Sequence, residues 1–326
     1  MELYPLKFKP IYKERVWGGN KLTSLMGRKT PNGKIIGESW ELSSVKGSLS
    51  VVSNGFLKGN NIQEIIEIYM SDLVGEKVYN KFGIEFPLLF KLIDSAERLS
   101  VQVHPNDEIA LERHRAYGKT EMWYVLAADK NSRIYVGFDK KIDREEYRNR
   151  VGNSSLAEIL NLESVQKNDV FFLPAGRIHA LGEGLLIAEI QQTSDITYRI
   201  YDWGRENNPN TAREMHTQLA EDVIDFTHFE TYRTQYLPQQ NKAVELVNCS
   251  CFTTNLLHLT QKIERDYAQL DSFVVYMCME GQARIECNNT TAETVSAGET
   301  VLIPAMTEFV NIIPEKEIKM MEVYVP

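Results

Sequence analysis

The chain has 326 residues and a mass of 37.4 kDa, with 43% hydrophobic and 25% charged residues, the balance of an ordinary globular protein long enough for about two domains. Its 36 basic and 45 acidic side chains leave a net charge of −9 with no basic stripe, which argues against generic nucleic-acid binding but permits a local basic pocket. The most apolar stretch, Phe86 to Ile93, is too short to span a bilayer and contains Lys91, and no basic-then-apolar leader opens the chain, so a cytoplasmic protein with no membrane partner is expected.

Taken in order, Gly18, Gly19 and Gly37 read as turn glycines rather than a phosphate cradle. Residues 62–74 read as a helix, with Ile62, Ile65, Ile66, Tyr69, Met70 and Leu73 on one face and Gly75 as its stop. Short β-rich runs follow at Met122–Leu126, Arg133–Val136, Val170–Leu173 and Leu185–Ile190, with a short helix expected over 155–161. A helix over 212–226 is expected from the capping pair Thr211 and Glu214. Residues 230–242 are the natural linker, and runs at Phe273–Met277, Ala283–Cys287 and Thr300–Ile303 complete the pattern. This rhythm favours β-sandwiches or barrels over alternating βαβ units, and neither a Rossmann fingerprint nor a P-loop occurs. Cys249, Cys251, Cys278 and Cys287 contain no C-x-x-C pair and read as reduced, mostly buried thiols.

One internal repeat stands out. Asn168 to His179 aligns with Gly298 to Phe309: each has a turn, an acidic residue, an apolar strand and then Pro-Ala. The pattern reads as two copies of a small β-barrel, with a histidine ending the first copy and a phenylalanine the second.

Three segments carry candidate metal ligands. Gln102 and His104, two apart on a predicted strand, point to one face with Cα atoms about 6.5–7 Å apart. Glu121 opens an apolar strand, and His179 follows a Pro-Ala-Gly turn. Singly each is an ordinary structural residue; together they form an N/O set that suits zinc and also admits iron, manganese, cobalt or nickel. A fourth segment, Glu189 to Arg205, places Arg199 and Arg205 near Glu189, Asp195 and a Thr-Ser pair, and arginine forks suit phosphate or a developing oxyanion. Lys91 and Ser100 add possible anion donors, while His114, His216, His228 and His258 read as surface or core residues.

These residues resemble the type I mannose-6-phosphate isomerases, most closely their short bacterial form. The matching stretches are Arg15-Val-Trp-Gly-Gly19, Gly37-Glu-Ser-Trp-Glu-Leu-Ser43, Pro87 to Leu92, Leu99-Ser-Val-Gln-Val-His-Pro105, Gly118-Lys-Thr-Glu-Met-Trp123, Pro174 to Gly182 and Ser194-Asp-Ile-Thr-Tyr-Arg199. They run in family order through residues 15–205, and the likeness beyond residue 235 rests mainly on the repeat. The resemblance implies a mainly β fold of two cupin-type (jelly-roll) barrels with a few helices: a catalytic domain over 1–235 and a cupin-like domain without a metal site over 236–326. It puts one zinc ion on Gln102, His104, Glu121 and His179, and the catalytic arginine on Arg199. Pocket positions fall on Lys91, Ser100, Lys119, Glu189 and Asp195, with Lys119 also a candidate catalytic proton carrier, and Arg205 stands where some relatives have lysine. Gln102 replaces a histidine of the general cupin pattern, and the interval from Glu121 to His179 lacks the large helical insertion of longer relatives.

The implied reaction interconverts D-mannose 6-phosphate and D-fructose 6-phosphate through an enediolate. The proton carrier stays open among a metal-bound water, Lys119, Glu189 and Asp195, and Ser100, Lys91 and Arg205 are the expected phosphate donors. The alternatives are another cupin phosphosugar isomerase, a metal oxygenase on the same barrel, or a non-catalytic sugar-phosphate sensor.

Overall fold

Strands outnumber helices throughout the computed structural model, which describes residues 3–210 and 212–326. The class is mainly β, as expected, but the hydrogen-bonded sheets are open rather than closed rings. The chain divides into two compact units that are discontinuous in sequence. One joins the N-terminal stretch to Ile11, Trp40–Phe90 and Gln235–Pro326; the other joins Tyr12–Ser39 and Lys91–Thr234.

In the first unit an eight-stranded antiparallel sheet is built on two long strands, Val274–Cys287 and Phe309–Tyr324. The runs expected separately at 273–277 and 283–287 are one strand, bent by register shifts at Cys278/Glu280 and Gly281/Ala283. Its core holds Leu257, Tyr276, Ile285, Ile312 and Met320. The helix Ile62–Val74 has the expected bounds. Asn61 Oδ1 accepts from Gln63 N and Glu64 N, and Glu64 Oε2 accepts from Asn61 N, a complete capping box. Ile62, Ile65, Ile66 and Leu73 are buried, but Met70 is not on the buried face: a φ of 44° kinks the helix there and leaves the side chain exposed. Gly75 ends the helix at φ 94°, where a Cβ would meet Asp271 O at 2.5 Å.

The second unit contains two sheets. One runs in the order Tyr198–Tyr201, Val101–Val103, His179–Leu181, Arg133–Phe138, Leu160–Ser164. The other runs Ile11–Gly19, Ile36–Leu42, Leu88–Ser95, Leu185–Gln192, Glu121–Ala128, Val170–Leu173. Side chains of both sheets share a core of Trp17, Trp123, Val136, Phe171, Leu181 and Ile187, so the sheets pack face to face. Gly18 and Gly37 lie in strands rather than turns; a Cβ on Gly37 would meet Trp17 at 2.6 Å, so close packing is what requires the glycine.

Two helices are shorter than expected. Over 155–161 only a 3₁₀ turn forms, Leu156–Ile159, before the chain enters the strand Leu160–Ser164. The helix expected over 212–226 is Thr217–Val223; its proposed cap Thr211 lies outside the described residues. His216 N donates to Arg199 O at 2.7 Å, which ties the preceding backbone to a strand, and Asp225 N donates to Gly176 O at 2.8 Å, which draws the chain out of the helix.

The repeat is visible bond for bond. Asn168 and Gly298 both turn at positive φ, 74° and 85°. Val125 N donates to Asp169 O at 2.9 Å as Cys278 N does to Glu299 O. The acidic side chains accept from the backbone three residues upstream, Gln166 N and Ser296 N. After the strands, Arg177 N and Thr307 N each donate to a proline carbonyl at 3.0 Å, and His179 and Phe309 each begin a strand.

Candidate active site

The site forms where the two sheets of the second unit face each other. From the first sheet, His179 lies opposite Gln102 across one antiparallel pair, and Arg199 lies opposite Gln102 across the next. Side chains at such positions share one face and stand about 4.5–5.5 Å apart at Cβ. His104 follows the strand Val101–Val103, where Pro105 ends the pairing. From the second sheet, Glu121 lies opposite Gln191, and Trp123 opposite Glu189.

His104, Glu121 and His179 are buried, and one ligand atom from each falls within 4.8 Å of the others. His104 Nδ1 donates to Ile196 O and His179 Nδ1 to Arg177 O, each at 2.8 Å. A carbonyl can only accept, so the proton sits on Nδ1 and the Nε2 lone pairs point inward. Burial first, then the Lys119 ammonium, hold both imidazoles neutral; His104 is driven well below its usual range and His179 to about 3. Glu121 Oε1 lies 3.2 Å from His179 Nε2 and is a buried oxygen without a hydrogen-bond donor. Burial pushes this carboxyl up to about 7 against the pull of Lys119. Gln102 Nε2 donates to His179 Nε2 at 3.2 Å. Two neutral imidazoles with inward lone pairs, an unsatisfied carboxylate oxygen and an amide at the same point are the chemistry of a divalent-cation site, so the residues fit a metal. Lys119 Nζ donates to Glu121 Oε2 at 2.5 Å and to His104 Nε2 at 2.9 Å, and so balances the carboxylate.

A cavity of about 450 Å³ opens in front of the triad, with Gln102 and Lys119 in its wall. Lys91, Ser100, Glu189, Asp195 and Arg199 line it, all expected there. Lys91 Nζ donates to Glu189 Oε1 at 2.9 Å and Gln191 Oε1 at 2.5 Å, and Trp123 Nε1 donates to Glu189 Oε2 at 2.8 Å. Burial alone would raise the Glu189 carboxyl, but Lys91, Lys119 and these bonds outweigh it and hold it at about 2. Arg199 Nε donates to Ser100 Oγ at 3.2 Å and Nη1 to Glu214 O at 2.8 Å. Among the described residues Arg199 has no carboxylate partner; burial and then the neighbouring Arg213 bring its guanidinium down to about 10. A cation with no carboxylate bonded to it, only the field of Asp202 nearby, is ready for an anion.

Arg205 is not in the cavity wall. Its Nη2 donates to Asp202 Oδ1 and Arg98 O, both at 2.7 Å, so the buried carboxylate holds it away. Arg213 bonds the same Asp202 and does line the cavity, as do Arg15, Glu38 and His216. His216, expected as a surface or core residue, reaches the cavity wall, where its Nδ1 accepts from Arg199 N at 3.3 Å. Arg15 lies in a stretch that matches the family, and Arg213 sits beside the capping pattern; neither has a local signal of its own.

A family model described as phosphomannose isomerase type I, catalytic domain, matches residues 5–132. The chain is 34% identical over 288 residues to mannose-6-phosphate isomerase ManA of Bacillus subtilis (strain 168), spanning 87% of this chain and 88% of that one. It is 33% identical over 282 residues to mannose-6-phosphate isomerase of Streptococcus mutans serotype c, spanning 86% of each. The crystal structure of mannose 6-phosphate isomerase from Bacillus subtilis matches with a TM-score of 0.86 and 27% identity, covering 99% of both chains.

Proposed function

The chain belongs to the type I phosphomannose isomerase family, and on that premise we propose that it interconverts D-mannose 6-phosphate and D-fructose 6-phosphate with one zinc ion. The observation that carries the reading is the buried His104–Glu121–His179 group behind a cavity lined by Arg199, which has no bonded carboxylate among the described residues. His104 and His179 would hold the ion through Nε2 and Glu121 through Oε1, with the Gln102 amide as fourth ligand; such N/O sets suit zinc. When bound, the ion supplies Lewis-acid polarisation of the sugar oxygens as charge develops on them.

The rest falls to the chain's own groups. Arg199 is the fixed cation for the enediolate charge, held in place by Ser100 Oγ and Glu214 O. Glu189, doubly bonded and kept ionised, serves to orient Lys91 rather than to accept a proton. Lys119 lines the cavity and is the group assigned to carry the proton, taking it from one carbon as the neutral amine and returning it to the other from the ammonium so formed. Asp195, exposed at the rim, contacts the sugar hydroxyls. Lys91, Ser100 and Arg213 donate to the phosphate, and Arg205 acts through Asp202, which it shares with Arg213. Phosphate binding then orients C1 and C2 without touching them. Residues 236–326 carry no metal site in this reading, since Phe309 stands where the repeat has His179. A cytoplasmic location goes with it; among the described residues no helix is long and apolar enough to cross a membrane.

The test is a coupled assay for fructose 6-phosphate with and without chelator, followed by zinc add-back. Loss of turnover with chelator and recovery with zinc support the reading. Full turnover in a demonstrably metal-free His179→Ala protein would falsify the metal role, and binding of mannose 6-phosphate without turnover in the zinc-loaded protein identifies a sensor instead.

A further inference from the structure

The strands Ala243–Asn248 and Thr253–Leu259 are joined by a tight hairpin through Cys249, Ser250, Cys251 and Phe252. Cys249 N donates to Phe252 O at 3.1 Å, and the neutral Cys249 thiol donates to the same oxygen at 3.3 Å, a bond that ionisation gives up. The bend at Ser250 and Cys251 draws the two cysteines closer than an extended strand would, into the range of about 4.4–6.8 Å between Cα atoms that a disulfide needs. An extended strand would hold them near the upper edge of that range. Both cysteines are half-buried at the surface, whereas Cys278 and Cys287 are buried.

The chemistry of the two pairs is opposite. A hydrogen bond from the Cys251 thiol outweighs burial and, with bonds from the backbone at Phe252 and Cys251, brings the Cys249 thiol down to about 6. Burial pushes Cys278 and Cys287 up to about 12. Near neutral pH the turn therefore offers a thiolate beside a second thiol, the arrangement of an attacking and a resolving cysteine.

We propose that Cys249 and Cys251 form a redox-active dithiol that closes to a disulfide by exchange with small disulfides such as oxidised glutathione. Cys249 thiolate attacks one sulfur of the small disulfide; that S–S bond breaks, and the departing thiolate takes a proton from water. Cys251 then gives up its proton and attacks the Cys249 sulfur, displacing the second small thiolate, which is protonated in turn. The pair loses two electrons and the small disulfide gains them. Closed within a tight turn and only half-buried, the new bond is the readily reversed kind.

The reduced full-length protein is incubated with oxidised glutathione near neutral pH, quenched by alkylation and mapped by peptide mass spectrometry. The expected product is the 249–251 disulfide, with Cys278 and Cys287 alkylated only after denaturation, which also reports that each variant is folded. Cys251→Ser should stop at a mixed disulfide on Cys249, and Cys249→Ser should slow reaction at the turn at least about tenfold. The proposal is overturned if wild-type protein does not react at the turn, if it keeps a mixed disulfide without closing, or if Cys278 and Cys287 react as fast.

Discussion

His179 and Gln102 face each other across an antiparallel pair, with Gln102 Nε2 3.2 Å from His179 Nε2. On its other side Gln102 faces Arg199, so the candidate metal group and the guanidinium are set one strand spacing to either side of a single residue. A strand ladder fixes such spacing more tightly than a loop can.

The buried ligands should govern metal content. His179→Ala or His104→Ala should strip the metal and lower kcat at least about a hundredfold, whereas Gln102→Leu, which removes a neutral amide, should weaken metal affinity less. Metal per chain by elemental analysis, measured with turnover on the same samples, checks both.

Arg199→Ala should lower kcat about 10²–10³-fold with metal content unchanged, because a fixed donor to developing charge is lost. A rise confined to KM makes Arg199 a binding residue instead.

The two arginines on Asp202 should separate kinetically. Arg213→Met should raise KM for the phosphosugar, since Arg213 lines the cavity. Arg205→Met should change KM and kcat by no more than about tenfold in total, roughly 1.4 kcal/mol, because its contacts are with Asp202 and Arg98 O. Equal losses in steady-state assays would contradict this division.

The Lys91–Glu189 pair should show in acid. Glu189 is held at about 2, below its ordinary value of 4.5, so its stabilisation is complete above about 4.5 and disappears as pH falls through about 2. Glu189→Gln should flatten the pH dependence of the urea midpoint across that window. It should also cost about 3–5 kcal/mol near neutral pH, since Lys91 is left buried without its carboxylate.

A second buried cluster has no part in the cavity. Glu322 accepts from Arg265 Nε and Nη2 at 2.7 and 2.9 Å and from Asn255 Nδ2 at 2.8 Å, and Tyr267 OH also donates to it. Arg265→Ala should therefore destabilise the protein by about 3–5 kcal/mol while leaving the kcat of the folded fraction near wild type. Denaturant unfolding and active-site-normalised kinetics read the two effects separately.

Local chemistry in the sequence determined much of this. The helix Ile62–Val74 follows from its period and its capping residues, the strands from short β-rich runs, and the repeated turns from an acid-strand-proline pattern that makes the same backbone bonds twice. The candidate metal group His104, Glu121 and His179 was legible because the residue types that can hold a metal are few. Tertiary structure alone decided the rest. Met70 turned outward at a kink, and the helix after Glu214 began late because His216 N was taken by Arg199 O. It also chose Arg213 over Arg205 for the cavity wall, and it brought Arg15 and His216 there. Periodicity and capping act over a few neighbouring residues, whereas a cavity wall is a meeting of segments far apart in the chain. Which side chain reaches it depends on the partner that holds it, here the carboxylate of Asp202.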